Sequence, residues 1–126
     1  MKVLEVAFTC YAVADMPRAR AFYEGVLGLE AAMVHDSEHG SWVEYEIGPH
    51  TLSLGRADAF KPSPDGCSAA LEVEDFDSAI AELKAAAVRF RIEPMPTPVC
   101  HMAMIYDPDG NSLCIHKRKP AAELAS

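Results

Sequence analysis

One frame occurs twice in this chain. Tyr11-Ala-Val-Ala-Asp15 and Leu71-Glu-Val-Glu-Asp75 share the order apolar, any, Val, any, Asp, and a helical pattern follows each. The two aspartates stand 60 positions apart in 126 residues, so the frame recurs at about half the chain length. A repeat of that period constrains the fold more than any single motif, because each copy must itself form one supersecondary unit.

The first copy reads β-α-β-β-β. Glu5 to Val13 is rich in apolar, aromatic and β-branched types and predicts a strand. Asp15 fits an N-cap, with Pro17 in the first turn, where a missing N–H costs little. Met16, Ala19, Tyr23, Val26 and Leu27 fall on one helical face, and Gly28 suits the left-handed position that stops a helix. Strands are expected at Leu29 to Val34, Ser41 to Ile47 and Thr51 to Gly55, with Gly48-Pro49-His50 as a hairpin loop. The second copy repeats the order: a strand from Cys67 to Val73, Asp75 as cap, and a helix to about Ala87. Phe76, Ala79, Ile80, Leu83 and Ala86 form its buried stripe. Strands follow at Val88 to Glu93, Met102 to Tyr106 and Ser112 to Lys117.

Composition narrows the function classes. A chain of this length is expected to be one domain. A formal net charge of −8 argues against nucleic acid, which needs a basic footprint. The short run Lys117-Arg118-Lys119 reads as a solvated strand end. No apolar run approaches the roughly 20 residues of a membrane helix, and the first residues carry no secretory pattern. Cys10, Cys67, Cys100 and Cys114 show no Cys-x-x-Cys spacing and read as reduced thiols, which places the chain in the cytoplasm. Pro120 to Ser126 is small and polar enough to be a disordered tail.

The second copy ends Tyr106-Asp-Pro-Asp-Gly-Asn111, a turn in which Pro108 fixes one corner and Gly110 takes positive φ. Together with Val13-Ala-Asp15 and Phe22-Tyr23-Glu-Gly-Val-Leu-Gly28, this resembles the glyoxalase/bleomycin-resistance/extradiol dioxygenase (vicinal oxygen chelate) superfamily, from about Val3 to His116. The resemblance implies an α+β fold in which two βαβββ modules form a cupped eight-stranded mixed sheet. It implies one domain over 1–126: module one 1–56, linker 57–66, module two 67–118, tail 119–126. It also implies a homodimer. Metal-using members bind one divalent ion through a side chain from the first and last strand of each module.

The chain departs from that pattern at the ligand positions. Seven residues before each frame aspartate, where the first-strand ligand stands, are Phe8 and Ser68. The last-strand position after the Gly-Asn pair holds Cys114, and Thr51-Leu-Ser-Leu54 in the first module offers neither carboxylate nor imidazole. Phe8 cannot ligate a metal, and Ser68 is a poor ligand for Zn, Ni or Fe. The usual metal centre is therefore expected to be absent, and no cofactor is called for. A relocated site would draw on His101 and His116, on the two strands of the last hairpin, with Cys100, Cys114, Glu44 or Glu46. His35, His39 and His50 sit among polar residues in turns and read as surface.

Strand period of two, started from Phe8, assigns the ligand-facing wall: Phe8 and Cys10 on the first strand and Trp42 and Glu44 on the third. The second module contributes Ser68, with Ala70 and Glu72, then Met102 and Met104, then Cys114 and His116. That wall is apolar, sulfur-rich and aromatic, which suits a small, partly apolar organic molecule held without metal, as in drug-sequestering members. Two other readings compete. One is an enzyme, either a divalent-metal-dependent lyase or dioxygenase with relocated ligands or a metal-free one using His116 or Glu44 as base. The other is an interaction module whose pocket is filled by its own side chains.

Overall fold

Both frame aspartates cap a helix. In the computed structural model, which describes residues 2, 4–58, 60–66 and 68–120, Asp15 and Asp75 have extended backbone. The Asp15 carboxylate accepts the Arg18 N–H at 3.0 Å, and that of Asp75 accepts the Ser78 N–H at 3.0 Å. Each thereby satisfies a donor that the first helical turn leaves without a partner.

Helix α1 (Met16–Arg20) widens into a π-helical segment, Ala21–Val26, whereas α2 (Phe76–Ala85) stays regular. The widening changes which residues are buried. Met16, Ala19, Phe22 and Tyr23 face the core, while Val26 and Leu27, expected on the buried stripe, are half-buried. The Leu27 N–H reaches the Phe22 carbonyl at 3.0 Å, a five-residue span that shifts the inward face by one position. Gly28 then ends the segment with φ 74°, as its position in the sequence demands. The corresponding place after α2 is Ala87, at φ 58°. In α2, Ile80 and Leu83 are buried, whereas Ala86, which follows its last residue, is exposed.

The chain divides into two units after Ser63. In the first, β1 (Thr9–Ala12), β2 (Ala31–Ser37), β3 (Gly40–Ile47) and β4 (His50–Arg56) form a mixed sheet of order β1-β4-β3-β2. In the second, β5 (Ala69–Glu72), β6 (Phe90–Pro96), β7 (Cys100–Tyr106) and β8 (Ser112–Arg118) are ordered β5-β8-β7-β6. In each, the first strand is parallel to the last and the other pairs are antiparallel. The eight strands expected in one mixed sheet are thus hydrogen-bonded as two sheets of four.

β1 and β5 are shorter than their apolar runs. Thr9–Ala12 pairs with Leu52–Gly55 and Ala69–Glu72 with Leu113–His116, so the ladder, not the composition, sets the strand length. Cys67, expected to open β5, lies outside the described residues, as does the tail from Ala121. β2 and β6 begin two residues later than expected, because the helix exits consume them: the Leu29 N–H returns to the Tyr23 carbonyl and the Val88 N–H to that of Leu83, each at 3.0 Å.

One face of each sheet packs under its own helix. Val43, Tyr45, Leu52 and Leu54 are buried in the first unit, where the Tyr23 and Tyr45 rings stack at 6.1 Å. Ala103, Ile105, Leu113 and Ile115 do the same with Ile80 and Leu83 in the second. The Asp-Pro-Asp-Gly-Asn turn serves this framework. Asp107, buried, accepts the N–H groups of Asp109 and Asn111 and the Asn111 side-chain amide, each at 2.9 Å, while Gly110 sits at φ 85°.

Candidate functional site

Alternation leaves a second face on each sheet, with Cys10, Trp42 and Glu44 on that of the first unit and Met102, Met104, Cys114 and His116 on that of the second, while Phe8 and Ser68 precede the strands. In the first unit, Cys10 is opposite Ser53, Ser53 opposite Glu44, and Trp42 opposite Gly55. Phe8 meets the Trp42 ring edge-on at 5.2 Å, and the Trp42 indole N–H donates to Glu44 Oε2 at 2.8 Å. Phe60, from the segment after β4, lies against Gly55, where a Cβ would come within 3.0 Å of its ring and 3.2 Å of Trp42. Gly55 therefore admits a third aromatic ring that the sequence pattern did not assign to this face. Beside them Ser53 is fully buried, and its hydroxyl has no hydrogen-bond partner among the described residues.

In the second unit, Ala70 is opposite Cys114 and Glu72 opposite His116, with Met104 and Met102 facing the latter two β8 residues from β7. These side chains are half-buried or exposed, in contrast to Leu113 and Ile115 beneath. His116 Nδ1 lies 2.5 Å from Glu72 Oε1, and the other Glu72 oxygen accepts the Arg118 N–H at 2.9 Å. The Arg118 amide first, and His116 second, hold the Glu72 carboxyl below the usual glutamate range. Sequence pattern placed Glu72 on this wall but could not pair it with His116, since that contact depends on register between distant strands.

The positions that carry metal in related proteins do not fit an ion here. Phe8 has no donor atom, and the Ser68 hydroxyl is turned to the Ser112 carbonyl at 3.3 Å. Cys114 directs its thiol at the Ile115 carbonyl at 3.7 Å, and burial, then Cys100, pushes that thiol up, away from the thiolate a metal needs. Burial likewise pushes up the Cys10 thiol. The two histidines of a relocated site do not come together. His101 pairs with Lys117 in the ladder and Met102 with His116, so the two histidines face opposite sides of the sheet. His101 instead lies against the Phe76 ring at 5.9 Å. Among the described residues, no three His, Cys, Asp or Glu side chains gather as a metal-holding group.

A separate cleft of about 730 Å³ opens beside α1 in the first unit, and none of the expected wall residues lines it. Arg20, Glu24, His35, Asp36 and Arg56 do. Within it the Glu24 carboxylate receives Arg20 Nε at 2.6 Å and the Tyr45 hydroxyl at 2.9 Å. The Arg20 hydrogen bond holds the Glu24 carboxyl down, while burial, then Glu24, pushes the Tyr45 phenol up. The Arg20–Glu24 spacing was legible as an i,i+4 pair; the closing Tyr45 hydroxyl was not.

Two βαβββ units, each with a mixed four-stranded sheet whose first strand is parallel to its last, define the vicinal oxygen chelate fold. The chain belongs to the Glyoxalase/Bleomycin resistance protein/Dioxygenase superfamily, whose profile matches residues 5–115. It is similar to the crystal structure of TnmS3, an antibiotic binding protein from Streptomyces sp. CB03234, at 26% identity and TM-score 0.77, covering 94% of this chain and 99% of that one. The fosfomycin resistance protein FosX from Mesorhizobium loti is 17% identical with TM-score 0.72 over 99% of this chain and 100% of its own. Leishmania major glyoxalase I is 22% identical with TM-score 0.75 over 91% and 87%. The last two likenesses concern the fold. No protein of curated function matches the sequence.

Proposed function

We propose that this chain binds a small, partly apolar organic molecule on the open faces of its sheets without a metal ion, and so sequesters it. The observation that carries this reading is the Phe8–Trp42 ring pair, with Trp42 oriented by Glu44 and Phe8 46% exposed. Flat aromatic edges beside a carboxylate suit stacking against a planar ligand, including one with positive charge. Half-buried Cys10, beside Ser53 in the ladder, continues that wall. In the second unit Ser68, Met102, Met104, Cys114 and His116 supply adaptable sulfur contacts with a few polar atoms. The likeness to an antibiotic-binding protein supports sequestration over turnover.

The same reading takes the protein to be cytoplasmic and a homodimer. Leu4 and Val6 are 82% exposed ahead of β1, and edge strands β2 and β6 expose Met33, Val34, Ile92 and Met95, apolar surface that a second copy would cover. No described helix is long and apolar enough to cross a membrane.

The test is a titration of chelator-treated protein with a panel of fused-ring aromatic compounds, followed by calorimetry and by the emission of Trp42, the only tryptophan. Saturable binding that added zinc leaves unchanged, and that Phe8→Ala weakens about tenfold, is the expected outcome. Absence of saturable binding, or binding that requires the divalent ion, would overturn it.

A further inference from the structure

We infer that Glu72 holds His116 as the Nδ1–H tautomer, so that Nε2 is a fixed hydrogen-bond acceptor selecting ligands that carry an aromatic hydroxyl. This deepens the binding reading above and rests on it. Glu72 and His116 are direct ladder partners on β5 and β8, and the carboxylate oxygen lies 2.5 Å from Nδ1. An ionised carboxylate can only accept, so in the neutral ring the proton of that bond belongs to Nδ1 and the Nε2 lone pair is left open. The second Glu72 oxygen is anchored by the Arg118 backbone N–H at 2.9 Å, which keeps the carboxylate from turning away. Nε2 has no partner among the described residues, and the His116 side chain is 24% exposed.

The surroundings narrow the ligand. Met102 stands opposite His116 on β7, and Cys114 lies two residues before it, so the acceptor sits in a sulfur-rich patch suited to an aromatic body. A hydroxyl donor on that body would meet Nε2. A ligand without the donor would desolvate Nε2 and leave it unsatisfied, which is how a site built to bond a hydroxyl rejects analogues lacking it.

The experiment uses the full chain with isotope-labelled histidine in mildly alkaline buffer, with naphthol and its methyl ether as probes. Nitrogen-detected spectra, assigned through His116→Leu, should show the proton of His116 on Nδ1, and Glu72→Gln should shift the tautomer towards Nε2–H. Calorimetry should give at least about tenfold tighter binding of naphthol than of the ether, a preference that His116→Leu abolishes and Glu72→Gln reduces. A proton on Nε2 in the native chain overturns the inference. So does equal affinity for the two probes, which leaves the binding reading intact. If neither probe binds, the binding reading itself falls and takes this inference with it.

Discussion

Glu24 and Glu72 are each engaged by hydrogen-bond donors, and the consequence is a stability that depends on pH with a definite sign. Arg20 chiefly lowers the Glu24 carboxyl, and the Arg118 amide, then His116, lowers that of Glu72, from the ordinary value of 4.5. A group whose folded pKa lies below its unfolded one contributes stability above the unfolded value and loses it as pH falls through the folded one. Denaturant midpoints should therefore fall as the pH drops below 4.5, and Glu24→Gln should make that decline shallower. At the same scale, Gly55 decides whether Phe60 and Trp42 can lie where they do. Gly55→Ala places a methyl within 3.2 Å of both rings, so Trp42 emission should shift and ligand affinity should drop several-fold while the fold is retained.

The two helices share a cap but differ in how they stop. Gly28, at φ 74°, has open space where a side chain would begin, with nothing within 4 Å, so Gly28→Ala should cost about 1 kcal/mol through backbone conformation alone. Ala87, at φ 58°, already bears that strain, and Ala87→Gly should stabilise the chain by up to about 1 kcal/mol. Urea denaturation of the two single variants measures both, and opposite signs are expected. Helix caps and stops of this kind were readable from the sequence because a few adjacent residues settle them. The π-helical segment was not, since burying both Phe22 and Tyr23 depends on the sheet beneath them.

At the scale of the whole chain, the segment after β4 is shared between the units. Phe60 lies on the first sheet, whereas Arg91 holds the second unit's entry: it donates to the Pro64 carbonyl and to Ser112 Oγ and pairs with Asp65 at 2.9 Å. Metal-independent binding carries its own prediction here. Thermal unfolding of the whole protein should have the same midpoint with a chelator as with added zinc, because only a ligand that binds the native state shifts it. A rise with zinc would show a site that the described residues do not form.

The repeat, its two aspartate caps, the Gly28 stop, the Asp107 turn and the facing of Phe8, Trp42 and Cys114 could all be read from residue order. Each follows from contacts a few positions long or from the two-residue period of a strand. That Phe8 and Ser68 stand where the resemblance places metal ligands was legible for the same reason. Strand lengths, the burial of Ser53, the Arg91 clamp and the Glu72–His116 pair were decided only by tertiary structure. The last joins residues 44 positions apart, and which residue meets which across such a separation is set by ladder register, a property of the folded sheet that no local pattern encodes.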